Sequence, residues 1–262
     1  MKKPIYLPLL FFLLLSACNE PESPIEEPVL DSNVTDLNVV LAGELLPAKG
    51  KMKSKSYFYS NLNKADLVAD YFYDKTGNPI LEVSQNNAGI PSAYLLNYFD
   101  SKGLITSSKA FQVGEFGLIF FNTRKYEYNT SGLLALELRG SKIAFTTWVQ
   151  NTYDEQGRIK STFGRVKGEG DLAEFIYSDN STKINEEHFY YDRSAGAPYY
   201  FLVYEYNLAG NLIAKKPKGQ NGMGDSFMSF KYNGQNQLVE ETLYSLQFGQ
   251  QVRSKWTYTY YE

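Results

Sequence analysis

Tyr153-Asp154-Glu155-Gln156-Gly157 decides the fold, because the same phrase returns along the chain. Aromatic, Asp or Asn, any, any, Gly recurs at Tyr73–Gly77, Phe99–Gly103, Tyr128–Gly132 and Tyr206–Gly210. Each position has a physical reason. Asp or Asn at the second place (Asp74, Asp100, Asn129, Asp154, Asn207) can bond its side chain to the backbone two residues on. The next two residues suit a type I turn. The closing glycines (Gly77, Gly103, Gly132, Gly157, Gly210) accept the left-handed bulge conformation that follows such a turn. The aromatic residue ends the incoming strand, where aromatics are favoured. The phrase is therefore a β-turn, and its recurrence predicts a row of β-hairpins.

Three further sites read as worn copies: Tyr59-Ser60…Asn63, Tyr177-Ser178…Ser181 and Tyr232-Asn233…Asn236. Asn63 and Asn236 substitute for Gly in the left-handed region, and Ser181 is a poorer substitute. From Gly77 onward the closing positions are 77, 103, 132, 157, 181, 210 and 236. A step of about 26 residues fits two strands, one tight turn and one longer loop. Trp256-Thr257-Tyr258-Thr259-Tyr260 reads as a last incoming strand with no partner turn.

Tyr153-Asp154-Glu155-Gln156-Gly157-Arg158-Ile159-Lys160 resembles the YD repeats of Rhs-type proteins. Joined to the start Leu15-Ser16-Ala17-Cys18, residues from about 54 to 262 resemble a family of Bacteroidota lipoproteins of unknown function with a porin-like fold. The resemblance implies an architecture. It carries over no catalytic residue. The chain departs from Rhs shells in having longer and fewer repeats.

Lys2 and Lys3 precede an apolar run from Ile5 to Leu15, then small residues and Cys18. This is the plan of a secretory signal over residues 1–17. A run of about 11 residues is too short to span a bilayer. Leu15-Ser16-Ala17-Cys18 resembles a bacterial lipobox, which implies lipidation of Cys18, the single cysteine. Residues 18–35, rich in Glu and Pro, read as a disordered tether. The location expected is the cell envelope, lipid-anchored at the outer membrane, on its surface or periplasmic side. Residues 36–262 read as one β-hairpin-repeat domain, with a short helix favoured between Asn33 and Leu46, where Val39-Val40-Leu41 reads equally as a strand. Lys49, Lys51, Lys53 and Lys55 alternate with small or apolar residues and read as a solvated strand edge, with a headgroup-binding patch as the alternative.

Removing 17 residues leaves 262 − 17 = 245, a size at which an all-β fold can be one domain. Losing Lys2 and Lys3 takes the formal charge from −3 to −5, which argues against nucleic acid. Tyr126 and Tyr128 share one strand face, with Lys125 and Glu127 opposite. On the return strand Leu134, Leu136 and Leu138 oppose Ala135, Glu137 and Arg139. The reading that follows is an aromatic and apolar face and a mixed-charge face. An open sheet cannot leave the first in water. The sheet must close with that face inward, fold over as a sandwich, or meet lipid. The fold expected is an all-β antiparallel meander of about seven to eight hairpin repeats, curled into a large barrel-like or half-barrel sheet.

The search for chemistry is nearly empty. His188 is the single histidine, so neither a metal cluster nor a His-based relay is spelled out. No metal, cofactor or catalytic residue is assigned. Asp154-Glu155 and Glu240-Glu241 are adjacent carboxylates, which point apart on a strand. Binding is left. Trp148 and Trp256 are the candidate ligand-stacking residues, with strand packing as their alternative role. The sequence therefore supports a non-catalytic, lipid-anchored envelope protein that binds an unknown ligand or protein. The alternatives are a hydrolase with scattered carboxylates and a purely structural protein.

Overall fold

The computed structural model describes residues 32–42, 45–59, 62–140, 144–164, 171–178, 180–190, 196–219, 222–223, 227–245 and 251–262. Helix α1 (Ser32–Ala42) comes first, beginning within the segment expected as tether. Then come β1 (Met52–Phe58), β2 (Leu67–Tyr73), β3 (Pro79–Asn86), β4 (Pro91–Phe99), β5 (Ile105–Gly114) and β6 (Gly117–Tyr128). The chain continues through β7 (Leu134–Gly140), β8 (Phe145–Tyr153), β9 (Ile159–Gly164), β10 (Asp171–Tyr177), β11 (Ile184–Tyr190) and β12 (Tyr200–Tyr206). Last are β13 (Leu212–Gly219), β14 (Gly222–Met223), β15 (Met228–Tyr232), β16 (Leu238–Ser245) and β17 (Gln251–Tyr260). Cys18 and the signal-like start lie outside the described residues.

The strands form one antiparallel meander that closes on itself. β14 is a two-residue spur on β13, so β13 pairs onward with β15. The other 17 − 1 = 16 strands make the ring. Closure comes from β17, which lies against β16 on one side and β1 on the other. The Trp256–Tyr260 segment is the last strand, as expected, and its free side is taken by β1 rather than by a further hairpin partner. β1 also pairs with β2, so Lys53 and Lys55 stand on an interior strand of the ring, and the expected solvated edge does not exist. A closed ring leaves no row of unpaired backbone groups to template aggregation.

The repeated phrase forms the turn expected of it. At Tyr153–Gly157 the Gly157 N–H donates to Asp154 O at 3.0 Å. Asp154 Oδ1 accepts from Gln156 N at 3.0 Å and Arg158 N at 2.8 Å. Asp100, Asn129 and Asn233 repeat both side-chain bonds. Gly157 closes at φ 75° and Asn236 at φ 59°, so Asn does tolerate the glycine position. The copy at Tyr177 is one residue longer than read. Its left-handed residue is Asn180 (φ 57°) rather than Ser181. At the first worn copy Asn63 is not among the left-handed residues. There Asp66 organises the link, accepting from Tyr59 N at 2.6 Å. One further copy, Asn86–Gly89, closes the opposite end between β3 and β4, without a preceding aromatic.

Register corrects the assignment of faces. Across β6 and β7, Tyr126 stands opposite Glu137 and Glu127 opposite Leu136, with a register shift between Glu127 and Tyr128. The same one-residue shift occurs next to the turn between β2 and β3, β4 and β5, and β8 and β9. A bulge of one residue flips the alternation of the following strand. Tyr126 therefore shares its face with Glu137 and Arg139, not with Leu136 and Leu138, and only Tyr128, beyond the shift, stands opposite a leucine, Leu134. The aromatic face is also the polar face.

That face looks into the barrel. Glu82 on β3 feels Arg124 on β6, and Tyr258 on β17 feels Tyr71 on β2. Glu82 and Arg124 lie three strands apart and Tyr258 and Tyr71 two, and side chains so placed approach one another on a concave wall. The opposite face carries ion pairs that reach solvent: Lys218–Glu186 at 2.7 Å and Lys231–Glu240 at 2.6 Å, with the lysines 50% and 68% exposed. A lipid-facing band would have to be apolar along this wall. On the outer side of β3–β6, α1 buries Leu37 against Leu81, Val83, Leu96 and Phe111.

Candidate functional site

The site builds from the turn end of the barrel inward. Each incoming strand ends in the aromatic residue of the phrase, and its hydroxyl reaches the neighbouring return strand. Tyr128 Oη donates to Ile105 O at 2.8 Å, Tyr153 to Leu134 O at 2.7 Å and Tyr206 to Ile184 O at 2.8 Å. Tyr73, Tyr177, Tyr232 and Tyr260 do the same to Met52, Ile159, Leu212 and Leu238. Phe99 has no hydroxyl, and Asn97 Nδ2 takes the vacant carbonyl, Pro79 O, at 2.7 Å. The tyrosine of the phrase is thus a staple between hairpins as well as a strand former. Tyr128→Phe is expected to cost about 1 kcal/mol in chemical denaturation. Phe99→Tyr is expected to gain less than about 0.5 kcal/mol, since its acceptor is already bonded.

One layer deeper lies a polar belt. The fifth residue after the closing position is Glu82, Ser108, Glu137, Thr162, Lys215 and Glu241 in successive copies, and Glu187 follows the longer turn. Lys55 holds the equivalent place on β1, opposite Tyr258. Glu82, Ser108, Glu187 and Glu241 are bonded to tyrosines, whereas Glu137 is held by Arg139 and Thr162 by Asn151. Tyr204 donates to Glu187 Oε2 at 2.6 Å, where Lys215 Nζ also sits at 3.2 Å. Tyr258 donates to Glu241 at 2.8 Å, and Tyr71 bonds Glu82. Burial pushes the Tyr71, Tyr204 and Tyr258 hydroxyls far up, and the neighbouring carboxylates push them further. Tyr200 is pushed up to about 12, by burial first and then by Glu187 and Asp171. These tyrosines are neutral donors throughout the physiological range.

Glu82 is raised above the ordinary carboxylate value by burial, against the opposing pull of Tyr71, Arg124 and Lys55. The folded state then keeps the proton at pH values where the unfolded chain has lost it. Stability from this group is full below the unfolded value near 4.5 and is lost as pH rises through the folded value. Glu82→Gln is expected to flatten this part of the pH–stability curve and to raise the melting temperature at neutral pH relative to wild type. Parallel melting curves at pH 4 and pH 7 check it. Equal pH dependence in both proteins would disprove the assignment.

The two tryptophans do not meet. Trp256 is on β17 and Trp148 on β8, on opposite walls of the ring. Trp256 packs against Tyr57 at 5.0 Å, with Lys55 Nζ 5.7 Å above its ring. Trp148 lies under the Arg139 guanidinium at 4.1 Å, and Arg139 Nε holds Glu137 at 2.6 Å. His188 is on the outer face, 3.0 Å from Glu186 and edge-on to Phe201. The turn residues from Asp74 to Gly210 line the rim and are spent on backbone bonds. Among the described residues no group of three or more His, Cys, Asp or Glu is placed to hold a metal ion. The acids and bases of the belt escape a sequence reading that stops at the turn. Aligning the copies on their closing residue would have exposed the belt.

No protein-family model matches the chain, and no characterised protein matches it significantly. Solved structures do. The crystal structure of TcdB2-TccC3-Cdc42 matches at TM-score 0.37 and 16% identity, over 67% of this chain and 9% of that one. The TcdB2-TccC3 crystal structure matches at TM-score 0.37 and 16% identity, over 69% of this chain and 9% of that one. The chain therefore spans about a tenth of the length of these two. A porin-like protein from Bacteroides uniformis matches at TM-score 0.37 and 11% identity, over 81% of this chain and 98% of that one. At these values the likenesses carry no functional argument.

Proposed function

We propose that this is an envelope lipoprotein, tethered through Cys18, whose barrel takes a polar ligand into its lumen and does not transform it. The observation that carries the reading is the lumenal belt. Tyrosine hydroxyls are fixed on Glu187 and Glu241 at 2.6 and 2.8 Å, so polar groups stand pre-organised on a rigid wall. Water also reaches this wall: every residue of β7 is partly exposed, on both faces. A lumen lined by rings, hydroxyls and charges suits sugars or peptides better than lipids. The signal-like start and the lipobox resemblance support the envelope location.

The test is a thermal-shift and calorimetric screen of neutral and acidic oligosaccharides and short peptides. It is repeated on Ala110→Trp, which fills the lumenal wall between Leu95 and Asn122. Binding that weakens at least tenfold in the folded variant supports the lumen. Unchanged binding overturns it. Turnover of a bound glycan that vanishes in Glu82→Gln would favour the hydrolase alternative. That alternative draws on the raised Glu82 carboxyl, a property of general acids. A saturating screen with no ligand would leave the structural role.

A further inference from the structure

Two arginines face each other across the lumenal wall. Arg124 on β6 and Arg139 on β7 are direct register partners, so both project from the same face. Directly opposed residues have Cβ atoms about 4.5–5.5 Å apart, and like charges so placed are destabilising. Arg139 is closely paired, with Glu137 bonding its Nε at 2.6 Å, whereas Arg124 has no close ion pair among the described residues and only the through-space pull of Glu82. Arg124 Nε is buried with no acceptor. Two residues before it, on the same face, Asn122 Oδ1 is buried with no donor. Buried polar atoms are nearly always bonded, so two orphans side by side need an explanation. Trp148, under the Arg139 guanidinium at 4.1 Å, fixes that fork in a plane.

We propose that Arg124 and Arg139 form an oxyanion-binding subsite in the lumen, taking the carboxylate or phosphate of an acidic ligand. The proposal rests on the lumen being a binding space and names the chemistry of its occupant. Two oxygens of a carboxylate or of a phosphate between two guanidinium forks accept paired N–H bonds, and the anion's charge cancels the cross-strand repulsion. Asn122 Oδ1 accepts from a hydroxyl on the same ligand, as on an acidic sugar or a sugar phosphate. Trp148 offers a ring beside that anchor.

Trp148 is one of 2 tryptophans, so Trp256→Phe makes it a single reporter. Its fluorescence is titrated with inorganic phosphate, with glucuronate and with neutral glucose at constant ionic strength. A saturable response to phosphate or to glucuronate, and a weaker one to glucose, is expected. Which anion saturates at the lower concentration identifies the source of the charge. Arg124→Gln is expected to weaken the response at least tenfold, and Arg139→Gln similarly. The ligand-free Arg124→Gln protein is expected to melt at or above the wild-type temperature, because a like-charge pair is gone. Equal anion affinity in Arg124→Gln, or no saturable response to either anion, overturns the subsite. Neutral-sugar binding that is lost in Ala110→Trp, with no anion response, overturns the subsite and leaves the lumen reading standing.

Discussion

Lys215→Met is expected to cost about 3–5 kcal/mol of folding stability, the penalty for leaving one partner of a buried ion pair uncompensated. Lys215 Nζ lies 3.2 Å from Glu187 Oε2, and the two side chains are 21% and 10% exposed. The same oxygen accepts the Tyr204 hydroxyl at 2.6 Å, and the Lys215 ammonium also sits 4.4 Å from the Tyr204 ring. Removing the ammonium therefore strands a carboxylate held by one neutral donor. Tyr204→Phe is milder, about 1.5–3 kcal/mol, because a hydrogen bond to a charged group is lost while the ion pair stays. The double variant Lys215→Met, Glu187→Gln is expected to recover most of the loss, since nothing charged is then left buried. Urea midpoints of the three proteins decide it. A Lys215→Met cost below about 1 kcal/mol would mean that water in the lumen solvates Glu187 well enough to replace its partner.

That pair also marks where the sequence was legible and where it was not. Asp154 and Gly157 announce their turn because every bond involved spans at most four residues. Ring closure has no such local mark. β1 meets β17 across about two hundred residues, so Lys55, which stands over the Tyr258 ring at 5.3 Å, reads in isolation as an exposed edge lysine. The faces were misread for a subtler reason. Strict alternation puts Leu136 with Tyr126, but the bulge beside Tyr128 inserts one residue and puts Glu137 there instead. The phrase that reveals the hairpin thus carries the irregularity that misleads a period-two reading of its faces. The belt follows from the same shift. Its members vary among Glu, Ser, Thr and Lys, so composition alone sees ordinary surface charge. Trp148 was found as an aromatic residue on a strand, but the arginine above it was not, because guanidinium and ring meet only through the register of β7 and β8.

Helix α1 is expected to detach without unfolding the barrel. Leu37 is fully buried against Leu81, Leu96 and Phe111, so Leu37→Ala removes about 2–5 kcal/mol of packing. The polar support of α1 is weaker. Asp36 bonds Tyr98 at 3.0 Å and Lys109 at 2.5 Å, yet its side chain is 46% exposed, and such pairs contribute about 0–1 kcal/mol. The ring of strands does not pass through α1. The loss in Leu37→Ala therefore falls on the helix–wall contact, and hydrogen exchange is expected to show α1 amides unprotected while β10–β16 stay protected. Phe111→Ala must behave differently. Phe111 is 1% exposed, belongs to β5 and packs edge-on to Phe120 at 5.9 Å. Its truncation is expected to cost about 3–5 kcal/mol of global stability and to free α1 as well. Because Leu37 and Phe111 belong to one buried cluster, the double variant is expected to fall short of additivity by about 0.5–3 kcal/mol. Full additivity, or α1 protection unchanged in Leu37→Ala, would place the helix somewhere other than on this wall.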